Sequence, residues 1–296
     1  MISSKLVRHP PPYPTESLRG YVLRLSEANG YTSPQSLYRL AGMRADETSP
    51  SNFECSKLAA IANCPTSLLD QIAFKDSGDE SETMQLLGNW VSTRDLNLTG
   101  ARVCPACVAE KGFIEAHWHI ELMVACPVHE RPAVWFCGKC RRRLSWVRSG
   151  LLTCKCGGSL LTSPRDSYSR QELWLLDLIR QKVLNDRTGP RNDSCMPCEQ
   201  LAAMSLQSLL SLVRSLGWQR LTANRSSKLQ MGRHLLQAAV SVLTDWPSNF
   251  EKLLRDIGPR GSEDGLTAPA ANFANIYELV SGRIASRLQG HSSVTK

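Results

Sequence analysis

The chain has 296 residues, 42% of them apolar, which is enough for globular cores in about two or three domains. Its 35 Lys and Arg residues outnumber its 27 Asp and Glu residues, and the net charge of +8 is compatible with an anionic partner such as nucleic acid. The opening stretch MISSKLVRHPPPYP has no apolar run that could act as a signal peptide, and no later stretch is long enough to span a membrane. We therefore expect a cytoplasmic protein with no membrane partner.

Residues 1–100 read as short helices joined by turns, so we expect an N-terminal helical domain there. TESLRGYVLRLSEANGY carries one apolar stripe at helical spacing and ends at Asn29-Gly30, a typical helix stop. CSKLAAIANCPTSLLDQIAF predicts two short helices around Asn63-Cys64-Pro65. This spacing is similar to that of a helix-turn-helix, although a helical hairpin that packs its own core explains it about as well.

Seven Cys residues and one His residue form four close pairs within residues 101–165. The pairs are Cys104 and Cys107, Cys126 and His129, Cys137 and Cys140, and Cys154 and Cys156. Each pair closes a tight loop that can direct two ligand atoms to one ion, and two such pairs complete a tetrahedral shell. Thiolate and imidazole ligands in sets of four select Zn²⁺ over Mg²⁺ or Ca²⁺. We therefore predict two Zn²⁺ ions per chain, in closed sites that fold the protein and leave no position for a substrate.

Two ways of combining these pairs remain open from the sequence. Sequential pairing gives two successive zinc ribbons, whereas interleaved pairing gives a cross-brace like that of RING ubiquitin ligases. The stretch between His129 and Cys137 is longer than the short RING connection, and the terminal Cys-x-Cys is followed by Gly157-Gly158, as in a ribbon knuckle. These features favour a tandem zinc-ribbon module over residues 101–165, although chain reach permits both arrangements.

The second predicted ribbon is strongly basic. Between Arg131 and Arg165 the sequence has eight basic residues and no acidic one, with Trp135, Phe136 and Trp146 interleaved. Arginines beside aromatic rings suit a phosphate backbone and exposed bases, and a solvated charged face is the other interpretation. The residues predicted to contact nucleic acid are Arg141, Arg142, Arg143, Arg148 and Lys155.

Residues 166–296 have a helical period, which predicts a C-terminal helical domain. The predicted segments are SRQELWLLDLIRQKVL, LAAMSLQSLLSLVRSLGW, SKLQMGRHLLQAAVSVLTDW, SNFEKLLRDI and NFANIYELVSGRIASRLQ. The fold class expected for the whole chain is mainly α with a small zinc-ribbon β module.

Two smaller signals are given structural interpretations. His117-Trp118-His119 is expected on a strand, with both imidazoles on one face and packed between the ribbons. Cys195 and Cys198 form a fifth close pair with no partner pair nearby, and we interpret them as ordinary thiols before a helix. The sequence has no phosphate-binding G-x-x-x-x-G-K-[ST] motif and no recognisable catalytic set, so no catalytic residue is assigned.

With these residues in view, the chain resembles the TniQ family of transposition proteins. The resemblance rests on PTESLRGYVLRLSEANGY, on the stretch ARVCPACVAEKGFIEAHWHIELMVACPVHERPAVWFCGKCRRRLSWVRSGLLTCKCGGSL, and more loosely on VLTDWPSNFEKLLRDI. It covers about the first 160 residues well and the helical remainder only in general character. It implies that the eight paired residues are zinc ligands and that helix-turn-helix elements precede them.

The resemblance also implies a function: a non-enzymatic, bacterial adaptor that selects transposition targets. Such an adaptor connects a DNA-targeting complex, which in CRISPR-associated transposons is an RNA-guided effector such as Cascade, to an AAA+ ATPase and thus to the transposase. Target DNA is a further expected partner, and self-association into a homodimer is left open. The competing interpretations are a RING-type ubiquitin ligase and a transcriptional regulator that uses the helical pair and the basic ribbon.

Overall fold

The computed structural model describes residues 6–78, 82–161, 166–186, 188, 195–223 and 231–257. These residues form a mainly helical fold with small antiparallel sheets, as the sequence predicts. Two compact units divide the chain: residues 1–191 with 205–207, and residues 192–204 with 208–296. Among the described residues, no helix has the length and apolar character needed to cross a bilayer.

The helices are α1 (Leu18–Ala28), α2 (Gln35–Leu40), α3 (Cys55–Ala62), α4 (Thr66–Ile72), α5 (Pro105–Lys111), α6 (Arg170–Leu184), α7 (Cys198–Ala203), α8 (Leu206–Ala223), α9 (Met231–Leu243) and α10 (Ser248–Ile257). The strands are β1 (Lys75–Asp76), β2 (Thr83–Leu86), β3 (Asn89–Ser92), β4 (Ala125–Cys126) and β5 (Arg131–Pro132).

Helices α1 to α4 share one apolar core in the first unit. Ser17 begins α1 by accepting a hydrogen bond from the backbone N–H of Gly20. The two predicted short helices are confirmed as α3 and α4, because Asn63 ends α3 in the left-handed conformation and Pro65 directly precedes α4. Their buried residues pack with those of α1 and α2. The core side chains include Leu18, Tyr21, Val22, Leu25, Leu37, Leu58, Ile61, Leu69 and Ile72.

A three-stranded antiparallel sheet, ordered β1-β2-β3, follows α4 and was not expected from the sequence. Strands β2 and β3 are joined by Leu87-Gly88, and both residues have positive φ, 48° and 85°. This is the conformation of a tight hairpin turn. Such a turn is commonly predicted from the sequence Asn-Gly, but not from Leu-Gly. The alternation of β2 is short, with Met84 and Leu86 buried and their neighbours partly exposed.

Short extended segments join the two groups of predicted metal ligands. Val103 and Val134 exchange backbone hydrogen bonds of 3.1 and 2.7 Å, and the N–H of Ala101 donates to the carbonyl of Leu144 at 3.0 Å. Phe136 and Arg143 form a further antiparallel bridge. We call these segments, residues 101–103, 134–136 and 143–144, the connecting sheet. Because of it, the two predicted ribbons are not independent units.

Helix α6 belongs to the first unit, whereas the sequence division at residue 165 places it with the C-terminal helices. Ser169 and Glu172 form a capping box at its start. The helix packs against β4 and against a 3₁₀ turn at Ala116–His119, burying Trp174, Leu175 and Ile179.

The second unit contains α7, most of α8, α9 and α10, and α9 packs against α10. Helices lie in three of the segments predicted after residue 190, although the first of these segments is divided between α7 and α8 at Met204. The last predicted segment, NFANIYELVSGRIASRLQ, lies outside the described residues, so its helical assignment stays a prediction.

Candidate metal centres and nucleic-acid surface

The first cluster consists of Cys104, Cys107, Cys126 and His129, whose ligand atoms all lie within 4.8 Å of one another. Cys104 directly precedes α5, and Cys107 lies in its first turns, so the first knuckle continues as a helix rather than as a ribbon strand. Pro105 occupies the first helical position, where its missing N–H costs no hydrogen bond. Cys126 ends β4, and His129 lies in the turn that leads to β5.

The orientation of His129 is suited to metal binding. Its Nδ1 faces the three sulfur atoms, at 3.6 Å from Cys104, 3.2 Å from Cys107 and 3.5 Å from Cys126. Its Nε2 lies 2.8 Å from Oε1 of Glu110 on α5. A carboxylate that accepts the Nε2 proton leaves Nδ1 as a free lone pair, which is the form of imidazole that binds a metal. Sequence spacing did not reveal the role of Glu110, because it emerges only from the direction of α5.

The second cluster consists of Cys137, Cys140, Cys154 and Cys156, again with all four sulfurs within 4.8 Å. Cys137 and Cys156 are 3.7 Å apart at Sγ, and Cys140 and Cys154 are 3.9 Å apart. The last knuckle closes through Gly157, at φ 77°, and through the N–H of Cys154, which donates to the carbonyl of Gly158 at 2.8 Å.

In each cluster, hydrogen bonds favour the thiolate form of one cysteine, whereas the pKa of Cys107 and that of Cys154 are raised. Hydrogen bonds from Cys107 and Cys126 lower the pKa of the Cys104 thiol. The backbone N–H of Cys140 is the main cause that lowers the pKa of Cys137 to about 6. Since the thiolate is the form that binds metal, each cluster contains a cysteine prepared for that role.

Both sets of ligand atoms fit a four-coordinate soft cation. In each set four sulfur or nitrogen atoms lie close together, and no hard oxygen ligand is among them. The grouping is that of sequential pairing. Within the part of the chain that the structure describes, the interleaved pairing of a RING cross-brace does not occur.

Four of the five residues predicted to contact nucleic acid lie exposed: Arg141, Arg142, Arg143 and Lys155. The three arginines follow Cys140 directly, and Arg141 has a left-handed φ of 57° as the knuckle turns. In the described residues, none of the four has a carboxylate within 4.0 Å. Their charges are thus available to an anionic ligand.

Arg148 differs from the other four and corrects the expectation that it faces nucleic acid. It is 1% exposed, and its guanidinium donates to the carbonyls of Ser145, Gly150 and Leu151 at 2.7, 3.0 and 3.3 Å. Burial lowers its pKa to about 10. Arg148 therefore holds the loop of the second cluster together from inside.

His117-Trp118-His119 is buried as expected, but in a 3₁₀ turn rather than on a strand. Nδ1 of His119 lies 3.2 Å from the carbonyl of Asn97, which makes it the donor, and Nε2 then accepts from the hydroxyl of Ser17 at 2.7 Å. Burial lowers the pKa of His119 to about 4 and that of His117 well below its usual value. Neither belongs to a metal-ligating group in the described chain.

Cys195 and Cys198 also stay outside the metal-ligating groups of the described residues. Cys195 is exposed, whereas Cys198 is buried at the first position of α7. Cys195 thus precedes the helix as expected, whereas Cys198 is its first residue.

Comparison with known proteins adds an independent line of support. The model of the TniQ family matches residues 7–132, a range that includes the whole first cluster and stops before the second. No curated protein sequence matches the chain significantly. The resemblance noted in the sequence is thereby confirmed over residues 7–132, which are similar to the TniQ family.

Proposed function

We propose that this chain is a non-enzymatic adaptor of DNA transposition, which links a DNA-targeting complex to an AAA+ ATPase and through it to the transposase. The observation that carries the proposal is the TniQ match over residues 7–132. The first cluster lies entirely within this match, so the matched family region and the candidate metal centre coincide.

We further propose that each cluster holds one Zn²⁺, and that the ion only stabilises the fold. Zinc would supply four strong bonds that tie distant chain segments together. Cys104, Cys107, Cys126 and His129 would hold the first ion, and the four cysteines of the second cluster would hold the other. Because four protein ligands fill each shell, neither ion would have an open position for water, and this supports an adaptor rather than a metalloenzyme.

The exposed cations support a location beside DNA. Arg141, Arg142, Arg143 and Lys155 belong to one metal-ligating module, and the module holds them on short, rigid knuckles. The planar guanidinium of arginine presents its donors in a fixed fork, so that it loses less entropy per hydrogen bond when it binds a phosphate.

The helical pair α3–α4 gives less support to a sequence-reading transcriptional regulator. The exposed residues of α4 are Ser67, Asp70 and Gln71, so the exposed side of this helix carries an acid and no Lys or Arg. A recognition helix without a cation lacks the usual phosphate and guanine contacts.

The deciding experiment is co-purification with a co-expressed transposition-type AAA+ ATPase from the same source genome, with and without the subunits of an RNA-guided effector. We expect the tagged chain to retain the ATPase, and to retain the effector if the CRISPR-associated branch applies. Cys126→Ser should abolish retention, because it opens the first cluster, whereas Cys64→Ser, which changes a cysteine outside both clusters, should not. An ATPase that never co-elutes with the folded, metal-loaded chain would refute the adaptor.

A further inference from the structure

A cleft of about 290 Å³ opens beside the connecting sheet, at a place that the adaptor function does not explain. One wall is the loop that contains Leu98 and Thr99, and another is formed by Trp135, Arg143 and Leu144. This volume is at the small end of ligand sites, so it suits one flat group better than a long peptide side chain with its backbone.

Trp135 supplies an aromatic face, and the buried side chain of Arg102 packs against its ring. The guanidinium carbon of Arg102 lies 4.8 Å from the centre of the Trp135 ring. Arg102 is 1% exposed and donates through Nη1 to the carbonyl of Glu121 at 2.7 Å, and through Nη2 to its carboxylate at 3.4 Å. A side chain so constrained makes Trp135 a rigid platform rather than a mobile surface ring.

Arg143 supplies the available positive charge. Its guanidinium carbon lies 5.8 Å from the Trp135 centroid and 6.0 Å from that of Phe136, so it borders these rings. It is exposed and, in the described chain, has no carboxylate partner within 4.0 Å. Glu121, the acid that lines the cleft, is already paired with Arg102. The remaining charge of the cleft is therefore that of Arg143.

The combination of an aromatic platform, an unpaired guanidinium and a small volume matches the chemistry of a single nucleotide. We propose that the cleft receives one unpaired nucleotide of DNA or RNA, with its base against Trp135 and its phosphate at Arg143. Arg141 and Arg142, which precede Arg143 directly, then take the neighbouring phosphates of the same strand. This inference deepens the proposed function and rests on its placement of the adaptor beside nucleic acid.

Both metal-ligating clusters position the cleft. Arg102 lies two residues before Cys104, Trp135 lies two residues before Cys137, and Arg143 lies three residues after Cys140. The backbone hydrogen bonds of the connecting sheet then bring these segments side by side. Loss of either cluster therefore moves one wall of the cleft relative to the other.

The test is fluorescence anisotropy of the full-length, metal-loaded chain with a labelled oligothymidine of about 15 nucleotides, in parallel with oligouridine and a duplex of the same length. Trp135→Ala should weaken binding of the single strands by about tenfold or more, because it removes base stacking, and should change duplex binding much less. Arg143→Gln should weaken single-strand binding and lower its salt dependence. If oligothymidine binds more tightly than oligouridine, the nucleotide comes from DNA; if oligouridine binds more tightly, it comes from RNA.

Matched controls separate the cleft from general charge and aromatic content. Trp90→Ala removes a tryptophan that is 44% exposed outside the cleft, and Arg39→Gln removes an exposed charge on α2. Both should bind single strands within about twofold of the unaltered chain, since neither lines the cleft. Thermal melting and metal content of each variant show whether the fold is retained.

Two results would overturn the proposal. The first is unchanged single-strand binding by a folded Trp135→Ala variant. The second is an equal loss of single-strand and duplex binding, which would indicate phosphate contacts without a base site. If this variant instead lost only the ATPase, the cleft would be a protein-docking site. Failure of the adaptor function is seen separately, because it appears as absent co-elution of the unaltered chain with the ATPase.

Discussion

In the first cluster, Nε2 of His129 lies 2.8 Å from Oε1 of Glu110, while Nδ1 of the same ring faces three cysteine sulfurs. The carboxylate therefore selects the tautomer that can bind a metal. This pairing ties the C-terminal end of α5 to the turn before β5 through the imidazole ring, in addition to any bond that an ion provides.

Glu110→Gln is expected to weaken metal binding at the first cluster by about tenfold, because an amide holds the Nε2 proton less strongly than a carboxylate does. Competition with a chromophoric zinc chelator measures the change. Glu130→Gln, which removes an exposed acid next to His129, is the matched control and should bind metal like the unaltered chain. Equal affinities for both variants would show that Glu110 does not orient the ligand.

The grouping of ligands predicts how metal content responds to substitution. Cys126→Ser should remove one ion and leave the second cluster loaded, and Cys154→Ser should do the reverse, because each residue belongs to a different set of four. Native mass spectrometry of each folded variant counts the ions that remain. Loss of both ions on either change would contradict the assignment of the ligands to two separate sets of four.

The buried His119 predicts a loss of stability in mild acid. Its pKa is about 4 in the folded chain against an ordinary value of 6.5, so the unfolded state takes up a proton first as the pH falls. Its contribution to stability is present above pH 6.5 and declines towards pH 4. Between about pH 7 and about pH 5 the loss amounts to about 2 kcal/mol.

Urea unfolding of His119→Gln isolates this effect, because glutamine can keep both hydrogen bonds and does not titrate. The difference in unfolding free energy between the unaltered chain and the variant should shrink or reverse as the pH falls. If the unfolding free energies of the two proteins changed with pH in the same way, His119 would not be the cause of the acid sensitivity.

The close approach of Glu27 to Gly150 predicts that a side chain at position 150 would lower the stability of the fold. A Cβ at Gly150 would overlap Oε1 of Glu27, whose other oxygen accepts the N–H of Leu151 at 3.0 Å. Gly150→Ala should lower the unfolding free energy by about 1 to 3 kcal/mol, through displacement of the carboxylate and loss of this bond. Gly100→Ala is the control, since a Cβ there meets only Asn97 at ordinary distance, 3.4 Å. Similar melting of both variants would exclude the clash.

Removal of Arg148 should lower the stability of the chain, whereas removal of Arg142 should weaken only nucleic-acid binding. Arg148→Ala removes a donor from three carbonyls, of which, in the described residues, only that of Gly150 keeps another, the N–H of Thr153 at 3.5 Å, and should destabilise the chain by about 3 kcal/mol or more. Arg142→Ala removes an exposed charge and should leave the melting temperature unchanged while weakening nucleic-acid binding. Thermal melting followed by circular dichroism makes this comparison, and a fully stable Arg148→Ala variant would contradict the structural role.

The two clusters of candidate metal ligands could be predicted from the sequence because the spacing within each pair is local and the chemistry of the residues is specific. Cys104 and Cys107, or Cys154 and Cys156, must lie close together in any fold. Helices α3 and α4 were predictable for a similar reason, since Asn63 and Pro65 act on their own neighbours.

Other features depend on tertiary contacts and could not be read in this way. A list of charges does not distinguish buried Arg148 from exposed Arg142, because burial depends on three carbonyls that converge only in the folded loop. The sequence His117-Trp118-His119 fits a strand or a 3₁₀ turn, and the contacts with Ser17 and Asn97 decide between them. The Leu87-Gly88 turn was missed because leucine rarely adopts positive φ.

The connecting sheet has a practical consequence for where the chain can be cut. The family match stops at residue 132, two residues before Val134, whose carbonyl accepts the N–H of Val103. A fragment that ends there would expose the backbone edge beside Cys104 and would also lose Leu144, the partner of Ala101. A truncation that retains residues through 191 keeps this edge covered, both sets of ligands intact and α6 packed against β4, and it is therefore the shorter form to express.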